Sequence, residues 1–375
     1  MRYKLGDICE IVSGSTPKTS VPDYWDGDVK WITPAELSDD SYIIYDSARK
    51  ITTLGVEKTG LRSFPAGTVI LSSRAPIGKV AIAGCEMYCN QGFKNLICSG
   101  KINNRYLYWF LKGHTELLNS LGRGATFKEI SKQIVSGIEI DVPDIKKQEE
   151  TVQTLEKISG LIQLRKTELQ ELDHLIKARF VEMFGDPVHN SKGWETNSVE
   201  EICTSIYGGG TPSKSHPEYY ENGDIPWVSS KDMKTDVLYD SQIHINKLGV
   251  ENSTAQMVPV DSVIMVIRSG ILKHTLPVAI NAVPITVNQD LKVFIPGEKM
   301  HSRFLAVQFK MHEKDILSGV RAVTADNIEF NSLKQRRIIV PPIEKQKEFI
   351  SFAKQVDKSK SRKELSYKTE KILAL

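Results

Sequence analysis

The chain states one long pattern twice, and any fold proposed for it has to accommodate two copies. GSTPKTSVPDYWDGDVKW, at Gly14–Trp31, returns as GGTPSKSHPEYYENGDIPW at Gly209–Trp227. Thr16-Pro17 matches Thr211-Pro212, Pro22-Asp23-Tyr24 matches Pro217-Glu218-Tyr219, and Trp31 matches Trp227, with Asn222 inserted in the second copy. LGVE at Leu54–Glu57 recurs at Leu248–Glu251, and GTVILSSR ending at Arg74 pairs with DSVIMVIR ending at Arg268. Val80–Ile82 matches Val278–Ile280, Asn90-Gln91 matches Asn288-Gln289, and Thr126 matches Thr324. IEIDVP (Ile138–Pro143) pairs with RIIVPP (Arg337–Pro342) through the shared Val142-Pro143 and Val340-Pro341, after which Gln148 and Gln346 follow at equal spacing. The offset stays between 194 and 198 residues throughout. So long a unit is not a solenoid repeat. It is a duplicated domain followed by a duplicated segment.

Within each copy, VILSS, KVAIAG, VIMVI and KVFIP are short β-branched runs between Gly, Pro and Asn, which predicts strands. Asn103–Asn119 and Ser302–Leu317 carry apolar residues at helical spacing. Each copy is therefore expected to be a mixed α/β domain. Between the copies, Ile145–Phe184 contains no Pro and only Gly160. Leu155, Ile162, Leu169, Ile176 and Met183 fall seven apart, with Ile158 and Leu172 at the matching sites and Arg165 and Arg179 interrupting the seam. That is a heptad pattern, and ~40 helical residues span ~60 Å. The interrupting arginines are read either as partner contacts or as devices that fix register, and His174 as a surface residue. Phe349, Ile350, Phe352 and Val356 give the segment after the second copy an apolar face. It thins into KSKSRKE and resumes with Leu365, Ile372 and Leu373. Neither stripe can be buried alone, so the two helices are expected to pair antiparallel. The predicted fold class is α+β: two similar mixed α/β domains separated by two long antiparallel helices forming a coiled coil, pseudo-twofold symmetric. The boundaries are 1–143, 144–185, 186–341 and 342–375.

Composition excludes little. The net charge of +3 announces no polyanionic partner, so nucleic-acid binding has to come from where Lys and Arg sit. No apolar run approaches the ~20 residues of a membrane span. The five cysteines lack CxxC spacing, and MRYKLGDICEIVSG reads as the start of a domain, so the expectation is a reduced, cytoplasmic protein. Cys85, Cys89 and Cys98 cluster, but the second copy has no counterpart, and buried free thiols are the ordinary reading.

Catalytic groups are not legible. Val340-Pro341-Pro342-Ile343 lacks the polar residue and the aromatic ring of an adenine methyltransferase turn, and no Gly-rich cofactor loop occurs. Pro22-Asp23 with Asp28-Val29-Lys30 resembles a nuclease metal motif, yet the second copy has lost the Lys. Basic and amide side chains in loops are the better signal, because phosphates are met by Lys/Arg and base edges by forked groups. The first copy supplies Lys18, Thr19, Lys58, Arg62, Arg74, Lys79, Lys94 and Arg123. The second supplies Lys214, Ser230, Lys231, Lys247, Arg268, Lys273, Lys292 and Arg321. Tyr24, Trp25, Trp31, Tyr219, Tyr220 and Trp227 are read as loop anchors rather than base-stacking groups.

The ordered, duplicated set GxTPxxxxPxY…W, SSRxPIG, Asn-Gln, VPP leading to a heptad helix, and MFGDP resembles the specificity subunits of type I restriction–modification systems over essentially the whole chain. The resemblance implies two target recognition domains, each reading one half of a split double-stranded DNA site, and a helical spacer fixing their separation. It implies a non-catalytic chain that binds no cofactor. Two partner methyltransferase (modification) subunits would carry S-adenosylmethionine, and restriction subunits could join. A protein-binding scaffold and a lone DNA-binding regulator are the rival readings.

Overall fold

A computed structural model describes residues 1–124, 128–319, 321–322 and 326–373; the side chains of 321, 322, 326, 362 and 364–373 lie outside that description, as do Thr126 and Thr324. The chain divides into two compact units, residues 1–165 with 366–375, and residues 166–365. The cut falls inside the long helix rather than at a domain border, because each end of that helix is bonded to the domain next to it.

The first unit builds ten strands: β1 (Arg2–Lys4), β2 (Cys9–Val12), β3 (Trp25–Ile32), β4 (Ile43–Ile44), β5 (Arg49–Ile51), β6 (Val69–Leu71), β7 (Val80–Ala83), β8 (Tyr88–Cys89), β9 (Asn95–Cys98) and β10 (Glu139–Asp141). They form a five-stranded sheet in the order β2-β9-β6-β7-β4, a three-stranded sheet β5-β3-β8, and the pair β1-β10. VILSS and KVAIAG become the buried centre of the larger sheet, where every residue of β6 and β7 is covered on both faces.

The second unit repeats this topology. Its strands are β11 (Thr196–Ser198), β12 (Cys203–Gly208), β13 (Ile225–Val228), β14 (Val237–Leu238), β15 (His244–Ile245), β16 (Val263–Val266), β17 (Val278–Asn281), β18 (Thr286–Val287), β19 (Leu291–Pro296), β20 (Arg321–Ala322), β21 (Asp326–Asn327) and β22 (Arg337–Ile339). The sheets run β12-β19-β16-β17-β14, β15-β13-β18 and β11-β22, the same orders strand for strand, and the antiparallel pair β20-β21 stands where the first unit has the single bridge Arg123–Glu129. The expected helices are present, but each breaks at a histidine. Asn104–Gly113 is followed after His114 by Thr115–Ser120, and Ser302–Met311 after His312 by Glu313–Ser318.

The central helix runs Ile145–Phe184 and the terminal helix Ile343–Leu373. One buried glutamine ties the start of each to its own domain. Gln148 accepts from the Asn103 amide at 2.8 Å and donates to the carbonyls of Lys101 (3.1 Å) and Pro143 (2.8 Å). Gln346 accepts from the His301 amide at 2.9 Å and donates to Lys299 (2.9 Å) and Pro341 (2.8 Å). Ion pairs reinforce the attachment: Arg105 to Glu156 at 3.2 Å and Arg303 to Asp357 at 2.7 Å.

In the second unit the two helices do pair antiparallel. Lys363 meets Glu168 at 2.8 Å, Lys360 meets Asp173 at 2.6 Å, and Arg179 meets Glu348 at 3.6 Å, so the partner number falls as the chain advances. Arg179, expected to interrupt the seam, lies across it, with its guanidinium 5.7 Å from the centroid of the Phe352 ring. The heptad expectation needs one correction. Leu155, Ile158, Ile162, Leu169, Leu172 and Met183 are only half-buried, whereas Val152, Ile176, Phe180 and Phe184 are buried. Phe180 and Phe184 pack on Phe304 of the domain and Phe349 of the terminal helix, with ring centroids 4.9–5.9 Å apart. A helix end covered by both a domain and a helix needs a wider apolar stripe than a two-helix seam. The stripe there steps by four, Leu172–Ile176–Phe180–Phe184. On the terminal helix Phe349, Ile350, Ala353 and Val356 are buried and Phe352 is half-buried, as the apolar face requires.

Candidate nucleic-acid interface

The repeated loop is a strap held against the smaller sheet. A Cβ placed on Gly14 would stand 1.9 Å from the Cys89 carbonyl oxygen, and one on Gly209 1.9 Å from that of Val287, so only glycine permits the approach. Just beyond, the Trp31 indole donates to the Ser15 carbonyl at 3.0 Å and the Trp227 indole to the Gly210 carbonyl at 2.9 Å. Thr16 donates to the Gln91 side-chain oxygen at 2.6 Å, and Thr211 makes the matching bond to Gln289. The Thr-Pro strap is thereby tied to the Asn-Gln pair in both copies. Trp31 and Trp227 are buried, as loop anchors should be; Trp25 stacks edge-on against Trp31 at 5.2 Å. Lys18 and Thr19, and Lys214, stand exposed at the tips of these straps.

In the first unit one residue, Glu129, gathers three of the basic candidates, two through its carboxylate and one through its backbone. Glu129 takes the Arg74 Nε on one oxygen (2.9 Å) and the Lys94 ammonium on the other (3.1 Å). Its backbone pairs with that of Arg123 (3.0 and 2.9 Å). Burial pushes the Glu129 carboxyl up, but the Lys94 ammonium and the Arg74 guanidinium outweigh it and hold it below its ordinary value. Arg74 is exposed, as is Arg123. Lys94 is not a surface cation: its side chain is 8% exposed and it also donates to Ser73 Oγ at 3.2 Å. This corrects its expected place among the phosphate-contacting groups, since a buried ammonium already satisfied by a carboxylate has no reason to leave it. Lys79 is likewise turned inward, onto the Leu37 carbonyl at 2.6 Å. Lys58 and Arg62 are not brought into this group. Lys58 is exposed in the last turn of the helix Thr53–Thr59, and Arg62 pairs with Glu10 at 2.6 Å.

The second unit reproduces the frame with different fittings. Arg268 donates Nε to Asp290 Oδ1 at 2.7 Å and holds the same oxygen with Nη2 at 2.6 Å. Asn288 holds the other oxygen of Asp290 at 3.1 Å. Lys292, at the position of Lys94, is half-buried with its ammonium 4.5 Å from the Phe330 ring centroid, and burial lowers its pKa. Arg321 lies on β20 beside Asn327; its side chain is outside the described residues. Lys231 is exposed and Ser230 half-buried in a turn closed by Asp232, which accepts from Ser229 N and Oγ at 2.9 and 2.8 Å. Lys273 is exposed at the end of the turn Gly270–Lys273, and Lys247 pairs with Glu251 at 3.4 Å.

Sequence reasoning missed Glu129 and Asp290, which pin the two arginines. Acidic residues were set aside in a search for phosphate ligands, and the two occupy non-equivalent positions in the repeat. It noted Gln148 and Gln346 without a role; their identical spacing after VP was the available signal. The five cysteines are free, and no metal-holding cluster occurs among the described residues. No helix among them is long and apolar enough to cross a membrane.

Residues 1–174 and 191–368 match the type I restriction modification DNA specificity domain. The chain is similar to the type I restriction enzyme MjaIX specificity subunit of Methanocaldococcus jannaschii, 31% identical over 362 residues that cover 90% of this chain and 82% of that one. Its fold is similar to a chain in a structure of complex assembly and conformational transition of the type I R-M system, at 17% identity and a TM-score of 0.59, covering 100% and 95% of the two chains. It is also similar to the type I restriction–modification S subunit from M. genitalium, at 13% identity and a TM-score of 0.53, covering 100% and 93%.

Proposed function

From the premise that the chain belongs to the type I restriction–modification DNA specificity family, we propose that each unit reads one half of a bipartite double-stranded DNA target. The central and terminal helices set the unread spacer and dock two methyltransferase subunits. The single observation that carries the reading is the duplication itself. One sheet topology, one Gly-x-Thr-Pro strap and one arginine just beyond β6 or β16 occur in both units, while the fittings around the arginine differ. A shared frame with altered fittings suits two readers of related but unequal sequences.

On this reading the exposed cations, Lys18, Arg74 and Arg123 with Lys214, Lys231 and Arg268, meet the duplex. Contacts to phosphate give a salt-dependent affinity, and the fewer contacts to base edges give specificity. The half-sites lie in major grooves about one helical turn, ~34–36 Å, apart. Methylation is the work of the partner subunits, which hold S-adenosylmethionine and receive a flipped adenine. Restriction subunits join that assembly, and the chain itself supplies no catalytic group.

The test is an exchange of residues 1–143 for the corresponding domain of another family member. One half of the recognised sequence should change and the other remain. A change in both halves, or in neither, contradicts independent readers.

A further inference from the structure

The two copies solve one problem with different residues. Arg74 and Arg268 stand at the same place, just beyond β6 and β16, where the backbone bridges to Glu129 and to Asn327 respectively. Those two partners are equivalent in the repeat. Yet the carboxylate that holds the arginine is Glu129 itself in the first unit and Asp290 in the second. The position matching Asp290 is Gly92 in the first unit, and the position matching Glu129 is Asn327 in the second. A carboxylate has thus been placed twice, from two different segments, against the same side of the same arginine. Both guanidiniums stay open to solvent, at 46% and 47% side-chain exposure. An exposed ion pair adds little to stability, so stability does not explain why each copy provides one. Orientation does: a carboxylate on Nε, joined in Arg268 by Nη2 on the same oxygen, fixes the plane of an exposed guanidinium.

We propose that Arg74 and Arg268 are base-reading forks, each recognising a guanine in its own half-site through the N7 and O6 edge in the major groove. Glu129 and Asp290 are the positioning residues that hold them. Guanine is the base whose paired acceptors match a guanidinium edge, and a fork held in one plane discriminates better than a free one. The inference rests on the bipartite reading above and sharpens it to a residue and a base in each half.

The experiment uses the full chain assembled with its partner subunits and a duplex library randomised over both half-sites. The unaltered protein should select two defined half-sites, each with a guanine. Arg268→Ala should lose preference at one guanine of the second half-site by roughly 10- to 100-fold, and Arg268→Lys should not restore it. Asp290→Asn should weaken the same preference while leaving the first half-site untouched, which also shows that the assembly is intact. Asp290→Asn combined with Asn327→Glu, which moves the carboxylate to the position it occupies in the other copy, should recover it. Arg74→Ala should act on the first half-site alone. If Arg268→Ala lowers binding to every sequence equally, the arginine is a phosphate contact and the inference is overturned. If the unaltered assembly selects no two-part sequence, the underlying reading fails, a result distinct from loss of the arginine's role.

Discussion

Replacing Gln148 by Leu is the most direct probe of how a domain is fastened to its helix. The side chain is fully buried and makes three bonds, to the Asn103 amide and to the carbonyls of Lys101 and Pro143. Leucine fills nearly the same volume, so cavity formation is not an issue. Three bonds at about 1 kcal/mol net each set a loss of about 3 kcal/mol, and more if the stranded backbone groups stay dry. Asn103 is also the N-cap of Asn104–Gly113, accepting from the Arg105 amide at 2.8 Å, so loosening it frays that helix start as well. Global unfolding of a two-unit chain is not two-state, and hydrogen exchange followed by mass spectrometry is the better assay. Amides of the segment Lys101–Tyr106 should exchange ~100-fold faster in the variant, the equivalent of about 3 kcal/mol. Gln153→Leu, at an exposed position of the same helix, should change nothing measurable. An acceleration below tenfold for Gln148→Leu would refute the claim that the glutamine is the fastening. Gln346→Leu should give the same result around His301.

Other perturbations follow from the same contacts. Phe180→Ala, which strips a fully buried ring from between Phe304 and Phe349, should cost about 3–5 kcal/mol and lower the Tm of the second unit in calorimetry. Gly14→Ala and Gly209→Ala should destabilise their units through the 1.9 Å approach to a carbonyl, whereas Gly160→Ala, with open space around it on the helix, should stabilise by about 1 kcal/mol. His312 is buried beside Arg336, and burial first, then that guanidinium, pull its pKa to about 4. A folded-state value below the unfolded one means protons bind the unfolded chain preferentially. Its contribution is therefore present above about pH 6.5 and lost as pH falls toward 4, roughly 3 kcal/mol in all. His312→Gln should flatten that part of the stability–pH curve measured against the parent. Four residues inserted after Leu164 add about 6 Å of helix. That should lengthen the preferred DNA spacer by one or two base pairs and leave both half-sites alone; an unchanged spacer would contradict the ruler.

The duplication was fully legible, because matched turn residues such as Thr16-Pro17 and Thr211-Pro212 survive where core residues drift between Ile, Val and Leu. Strands β6, β7, β16 and β17 followed from β-branched runs between Gly and Pro. The helix seam was only half legible. Period seven picked out Leu155, Ile162 and Leu169, but Phe180 and Phe184 answer to a domain surface that no one-dimensional period encodes. The candidate site showed the same limit. Listing cations by loop gathered Arg74 and Arg268, which are exposed, together with Lys94, which is not, and could not tell them apart. Whether a lysine faces solvent or a carboxylate 35 residues away depends on strand order, which the local sequence does not carry. Glu129 and Asp290 escaped for the same reason, since their importance lies in a shared partner and not in a shared position.

The central claim, two half-sites read by two units of one chain, is tested most directly by mapping methylated adenines across the genome of a host carrying the complete system. The account predicts one motif in two parts with a fixed unread gap, lost entirely when this chain is deleted. It further predicts that only the first part changes when residues 1–143 are exchanged. A continuous motif, or methylation that persists without the chain, would contradict it.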